Sequence, residues 1–259
     1  MEADVTHPHQ PSQHMQQALD LAAQALRITS PNPRVGCIIV DAQGKVLGQG
    51  HTQRAGGPHA EIMALRDAQA RGRDVQGATA YVTLEPCSHQ GRTGPCCDAL
   101  VQASVARVVV AMRDPDPRVA GGGIAQLQSA GMDVIEGVCE AEARQLNRAF
   151  IHRVEQGRPL GLLKWAMSLD GRTALPNGSS QWISGQPARA WVHQLRSRCD
   201  AVVVGGGTVR ADNPLLTSRG RRTPEPLRVV LSRGLDLPAQ AHLWTTDDAP
   251  TLVAHGPEA

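Results

Sequence analysis

The chain has 259 residues, a formal net charge of +2 and 41% hydrophobic content, enough length for one or two domains that each bury a core. Tyr81 and Phe150 are the only residues of their kinds, so the cores must be aliphatic, which suits α/β layers better than an aromatic-rich sandwich. The small net charge, and the lack of an aromatic platform on which bases could stack, argue against a nucleic-acid partner. The first stretch is polar and rich in His and Gln, unlike a signal peptide, and no apolar run reaches membrane-spanning length. With six cysteines in a chain this long, reduced thiols and a cytoplasmic location are expected, with no membrane partner.

Residues 1–11 have the composition of a disordered leader. Met15, Ala18, Leu19, Ala22 and Leu26 then fall at helical spacing and predict a helix over 12–26, stopped by Pro31-Asn32-Pro33. A buried strand over 35–41, a turn at Gln43-Gly44 and a return strand over 45–50 form a hairpin. His59 opens a helix that runs to about residue 71, which puts His59 and Glu61 in its first turn, near the positive end of the helix dipole. A strand over 78–84 delivers Glu85-Pro86-Cys87 at its end, and Cys96 begins another helix. Strands over 107–112 and 132–136 alternate with helices over 123–130 and 140–147, the pattern of an α/β site with ligands at strand ends and helix starts.

A second domain begins near Gly157-Arg158-Pro159, so the expected boundaries are 12–150 for the first and 158–259 for the second. In the second, strands are predicted over 160–167, 201–204, 227–231 and 251–254, with a helix over 187–196. Gly205-Gly206-Gly207 lacks the spacing of a dinucleotide fingerprint and is expected to be a tight turn after a buried strand. The chain ends at Ala259, directly after a strand, with no closing helix.

The chemistry concentrates in the first domain. His59, Cys87 and Cys96 offer one imidazole and two thiols, a set that holds tetrahedral zinc and leaves the fourth position open for water, as catalytic sites do. Cys97, next to Cys96, is the alternative third ligand. Glu61, two residues after the histidine, is a carboxylate free of the metal and able to shuttle protons. His-x-Glu followed by Pro-Cys and a further Cys is the signature of nucleobase deaminases, although here the second gap is eight residues rather than two. Each residue alone fits a plainer role, as a helix-start histidine, a surface glutamate or a core cysteine. Four together, with Pro86 stiffening the first cysteine, favour zinc. A structural zinc module would instead need four protein ligands.

Gly91-Arg92-Thr93-Gly94-Pro95 lies between the two cysteines, as a solvated turn or as a loop over substrate in which Arg92 meets a phosphate. Asn32, between two prolines, is a turn residue or an amide aimed at a ribose. In the second domain Arg196 and Arg219 suit a phosphorylated sugar or simply solvent, and Trp182 is a candidate core residue.

Several motifs together resemble the bifunctional riboflavin-biosynthesis deaminase/reductase family. They are Asn32-Pro33-x-Val35-Gly36-Cys37, Pro58-His59-Ala60-Glu61, Thr83-Leu84-Glu85-Pro86-Cys87-Ser88-His89-x-Gly91-Arg92-Thr93 and Ala111-Met112-x-Asp114-Pro115. Ser168-Leu169-Asp170-Gly171-Arg172-Thr173-Ala174, Ser180-Gln181-Trp182-Ile183 and Gly207-Thr208-Val209-x-Ala211-Asp212 continue the likeness, which runs from about residue 12 to the end. The resemblance implies a cytidine-deaminase-like three-layer α/β/α domain followed by a dihydrofolate-reductase-like α/β domain that is partial here.

It also implies two reactions on phosphorylated ribosylaminopyrimidines. The first is hydrolytic deamination of 2,5-diamino-6-(5-phosphoribosylamino)pyrimidin-4(3H)-one. The second is NADPH-dependent reduction of 5-amino-6-(5-phosphoribosylamino)uracil to its ribitylamino form. By resemblance His59, Cys87 and Cys96 hold zinc and Glu61 is the proton donor. Ala166, Trp182, Thr208 and Asp212 match NADP contacts, and Ser180, Arg196, Leu216 and Arg219 match substrate contacts. Gly94 stands where the family loop usually has proline, and Thr52 where it often has histidine. Family members are typically longer, so the expectation is a competent deaminase with an impaired reductase. Whether the chain forms a homo-oligomer stays open, as does another zinc-dependent nucleoside deaminase as the rival identity.

Overall fold

The computed structural model describes residues 10–90 and 94–257, and the chain divides into two units, 1–161 and 162–259. Helix α1 (Gln10–Gln24) buries the predicted stripe of Met15, Ala18, Leu19 and Ala22 to 4% exposure or less. It starts two residues earlier than expected, so Gln10 and Pro11 are helical rather than leader, and the rest of that stretch lies outside the described residues. A short 3-10 turn, Ala25–Arg27, ends it.

Strands β1 (Gly36–Val40) and β2 (Val46–His51) form the predicted hairpin. Its turn is closed by the Asp41 carboxylate, which accepts from the backbone N–H of Gln43 and Lys45 at 3.0 and 2.8 Å. β3 (Thr79–Val82), β4 (Arg107–Val110) and β5 (Asp133–Glu136) complete a five-stranded sheet of order β2-β1-β3-β4-β5. β1 is antiparallel to β2 and β3, whereas β3, β4 and β5 run parallel. β3 and β4 stop two residues short of the predicted apolar runs, because Thr83-Leu84 and Ala111-Met112 stay buried while leaving the ladder to carry loops.

Glycine parity on the hairpin fixes the layers. A Cβ on Gly36 would lie 1.9 Å from the Ala18 carbonyl oxygen, so α1 rests directly on that face. Gly50 and Gly48, opposite Cys37 and Ile39, face helix α2 (Ala60–Ala70), where a Cβ would meet Met63 Cβ at 2.4 Å and Ala64 O at 2.2 Å. Gly36 and Cys37 are successive and point to opposite faces, so α1 and α2 sandwich the sheet. α3 (Cys96–Gln102) and α4 (Gly122–Ser129) continue the α2 side, and α5 (Glu140–Leu146) lies beside α1, followed by α6 (Arg148–Gln156). The core between them is aliphatic, built on Ile38, Ile39, Val82, Leu100, Val108, Val109 and Leu127.

In the second unit β6 (Ala201–Gly205), β7 (Leu227–Leu231) and β8 (Thr251–Ala254) form a parallel sheet, with α7 (Gln186–Arg196) and α8 (Gly206–Asp212). Two expectations are corrected here. Gly206 and Gly207 are not a tight turn but the first residues of α8, and Gly206 packs closely on Ser232, whose Oγ a Cβ there would meet at 2.8 Å. The strand predicted over 160–167 does not form: the unit's described strands pair only with one another, and 160–167 runs as irregular chain. Residues 162–165 instead line an apolar cavity of about 280 Å³ with Trp191 and Leu195. The unit's core is small, centred on Val209, Val230, Ala241 and Leu243. Beside it lies the wholly buried Arg228, whose guanidinium donates to the carbonyls of Thr245 at 2.7 Å and Ala249 at 2.5 Å.

Among the described residues no helix is long and apolar enough to cross a membrane. Replacing Gly36 with Ala forces α1 off β1. The first unit should lose about 3 kcal/mol, the upper end of over-packing costs, as read from the denaturant midpoint of its unfolding. A change below ~0.5 kcal/mol, the range of ordinary surface substitutions, would show that the helix moves aside freely.

Candidate active site

Three elements of the first unit deliver three ligand atoms to one point. His59 is the residue before α2, with extended backbone, Cys87 follows the end of β3, and Cys96 is the first residue of α3. The His59 Nδ1 atom lies 3.5 Å from Cys87 Sγ and 3.3 Å from Cys96 Sγ, and all three ligand atoms fall within 4.8 Å of one another. Zinc with S at ~2.3 Å and N at ~2.0–2.1 Å in tetrahedral array sets N···S separations of about 3.5 Å, so the donor set fits the ion. Nδ1 is the ring nitrogen that faces both sulfurs, an orientation that the sequence does not reveal.

Neighbouring atoms hold the sulfurs. The Cys96 backbone N–H donates to Cys87 Sγ at 3.4 Å, and the Cys97 N–H donates to the Cys87 carbonyl at 3.2 Å. The two thiols shift in opposite directions. Hydrogen bonding from Cys96 holds Cys87 down at about 4, while Cys96 is pushed up by its contact with that sulfur and by burial. His59 is raised, first by its hydrogen bond with Cys87. Glu61 is 3% exposed in the first turn of α2, and burial lifts its carboxyl to about 7.

Cys97 points elsewhere. Its thiol donates to the carbonyls of Pro86 and Gly123 at 3.3 and 3.5 Å, and burial pushes it up to about 12. Arg92 lies outside the described residues. Asn32 is half-buried in the turn before β1, its backbone N–H donating to the Thr29 carbonyl.

In the second unit the structure joins some of the resemblance-derived residues and leaves others apart. Ser180 donates to Asp212 Oδ1 at 3.1 Å, and Arg196 donates to the Thr217 carbonyl at 3.3 Å, beside Leu216 and Arg219. Leu216 is buried, Arg219 exposed, and both hold positive φ. Trp182 is not core: it is 68% exposed, with the Arg189 guanidinium 4.3 Å from its ring centre. Among the described residues no hydrogen bond joins Ala166, Trp182 and Thr208 to one another.

Sequence reasoning missed two buried polar residues. Asn147 ties the end of α5 to the loop before β1, accepting from the Arg34 N–H at 2.8 Å and donating to the Arg34 carbonyl at 2.9 Å. Glu85 is 6% exposed beneath the cysteine loop, and its only signal was a carboxylate placed directly before Pro-Cys.

Fold and site together define the class of α/β zinc deaminases, here followed by a second α/β unit. The family model for the cytidine and deoxycytidylate deaminase zinc-binding region matches residues 8–112, and that for the RibD C-terminal domain matches 159–258. Riboflavin biosynthesis protein RibD of Synechocystis is 53% identical over 240 residues, covering 93% of this chain and 64% of that protein. The Aquifex aeolicus protein of the same name is 46% identical over 241 residues, covering 93% and 67%. A Thermotoga maritima diaminohydroxyphosphoribosylaminopyrimidine deaminase/5-amino-6-(5-phosphoribosylamino)uracil reductase superposes with a TM-score of 0.90 at 40% identity, covering 96% of this chain and 71% of that one. Acinetobacter baumannii RibD gives a TM-score of 0.85 at 44% identity, with the same coverage. The chain belongs to the RibD family of riboflavin-biosynthesis proteins, its two units being the cytidine-deaminase-like and dihydrofolate-reductase-like domains of that family. It spans about two thirds of the length of the curated relatives it matches.

Metal analysis separates the two candidate thiols. Cys96→Ser should lower bound zinc well below one per chain, whereas Cys97→Ser, which alters a thiol directed at two carbonyls, should leave it near one. The reverse pattern would transfer the ligand role to Cys97.

Proposed function

We propose that the first unit is a zinc-dependent hydrolytic deaminase of riboflavin biosynthesis, in the cytoplasm, acting on 2,5-diamino-6-(5-phosphoribosylamino)pyrimidin-4(3H)-one. The carrying observation is a buried carboxylate, Glu61, interacting with three side chains whose ligand atoms converge within 4.8 Å. Zinc bound by His59, Cys87 and Cys96 would supply the Lewis acidity that makes water a nucleophile near neutral pH. Glu61 takes a proton from the attacking water and passes it to the ring nitrogen, then carries the second proton, from the added hydroxyl, to the departing amine. Water adds at the amine-bearing carbon, the C–N bond breaks, and ammonia and a carbonyl result. Burial of Glu61 excludes bulk water from this transfer, and its position on the first turn of α2 keeps it two residues from His59, which precedes the helix.

We further propose that the second unit is the NADPH-dependent reductase, with Ala166, Trp182, Thr208 and Asp212 toward the nucleotide and Ser180, Arg196, Leu216 and Arg219 toward the phosphorylated sugar. The Ser180–Asp212 bond and the placement of Arg196 beside the 216–219 loop support part of that set. Val203, Val229 and Leu252 lie in register on one sheet face, with Val203 and Leu252 about half exposed. Parallel sheets are ordinarily covered on both faces, so this face is one that further packing would cover.

Two measurements test these readings. Glu61→Gln should keep zinc yet release ammonia at least ~10²-fold more slowly, the low end of general acid–base contributions. Near-normal release from a zinc-loaded variant would remove Glu61 from the reaction, and preference for cytidine over the phosphorylated substrate would reassign the deaminase. NADPH oxidation on the deaminated intermediate tests the second reading: turnover supports the reductase, and its absence from the folded protein overturns it.

A further inference from the structure

Cys87 sits in a loop, and loops position metal ligands poorly unless something beneath them is rigid. Beneath this one lies Glu85. Its Oε2 accepts from the backbone N–H groups of Asp114 at 3.1 Å and Gly121 at 3.0 Å, and its Oε1 from those of Gly123 at 3.0 Å and Ile124 at 3.3 Å. Four donors converge on two oxygens, with no cation paired to the carboxylate among the described residues. Two of the donors belong to the first turn of α4, whose free N–H groups and dipole suit an anion.

The clamp reaches the ligand through direct contact. A Cβ on Gly123 would lie 1.9 Å from the Pro86 carbonyl oxygen, so the helix start presses against the peptide that enters Cys87. The Cys97 thiol fills the remaining space by bonding both Pro86 O and Gly123 O. Glu85 also donates its own N–H to the Met112 carbonyl at 2.9 Å, which joins the end of β3 to the end of β4.

We propose that Glu85 is a positioning residue of the zinc centre: by gathering the 114–124 segment under Pro86, it fixes the direction in which the Cys87 sulfur points. This rests on the zinc reading above. Glutamine has the same shape, but its amide can accept at only one end and opposes two N–H donors with its own N–H₂ group. Glu85→Gln should therefore loosen Cys87 while leaving all three ligands in place.

The readouts are zinc release to a chelator and the thiolate-to-cobalt absorption of the cobalt-substituted protein. Outer-shell substitutions typically cost 10–100-fold in metal affinity or activity, so zinc release should be at least ~10-fold faster in Glu85→Gln, with an altered cobalt spectrum. Glu85→Asp, which keeps the charge but withdraws it by one methylene, should fall between wild type and Glu85→Gln in both readouts. A merely stabilising residue would lower the unfolding midpoint and leave the folded protein's spectrum and release rate unchanged, and that outcome in either variant overturns the proposal. If wild type itself holds no zinc, it is the zinc reading that fails.

Discussion

The close approach of α2 to the β1–β2 hairpin is the contact on which the site depends. Gly48 and Gly50 carry no Cβ where Ala64 and Met63 arrive, so the helix lies nearer to the sheet than side chains would otherwise allow. That depth brings His59 and Glu61 alongside residues issuing from β3, the strand that adjoins the hairpin at β1. β3 and α3 then supply Cys87 and Cys96, and Cys87 uses its carbonyl and its sulfur to bind the first residues of α3. Ligand convergence is thus a property of packing, and the metal would tighten an arrangement already close to its own geometry.

Much of this was legible because spacing carries chemistry. His59 and Glu61 share one helical turn, and Pro86 and Cys87 terminate an apolar strand, so each signal is local. The β-hairpin and the strand–helix alternation were equally readable, since period and turn residues agree there. Glu85 was not legible as a structural element, because its partners are backbone N–H groups up to 39 residues away and the sequence carries no trace of them. Asn147 was missed for the same reason, its partner being 113 residues distant. The ring nitrogen of His59 and the direction of the Cys97 thiol are likewise outcomes of tertiary geometry.

The second unit shows where apolar pattern misleads. Residues 160–167 have the composition of a strand, but they join no ladder, because an apolar pattern reports affinity for burial and does not specify a pairing partner. Leu163 is 84% exposed and Trp165 56%, a cost that a covered surface would remove. The glycine run 205–207 misled in the opposite way, because a helix start after a strand uses glycine for proximity as readily as a turn uses it for conformation.

Around the cysteine loop of the first unit, unlike at its surface ion pairs, negative groups meet N–H donors rather than arginine or lysine. Glu85 is held by four N–H groups, and Cys87 by the Cys96 N–H and the His59 ring. Arginine or lysine in these places would satisfy the same anions, but a mobile cation beside the sulfurs would compete with a divalent ion for them. Fixed dipoles of peptide groups lack that drawback: they stabilise negative charge without neutralising it, and they need no reorganisation when a metal enters. A site built this way leaves both sulfurs free to bind the ion and Glu61 free of salt bridges, as a carboxylate that must carry protons requires.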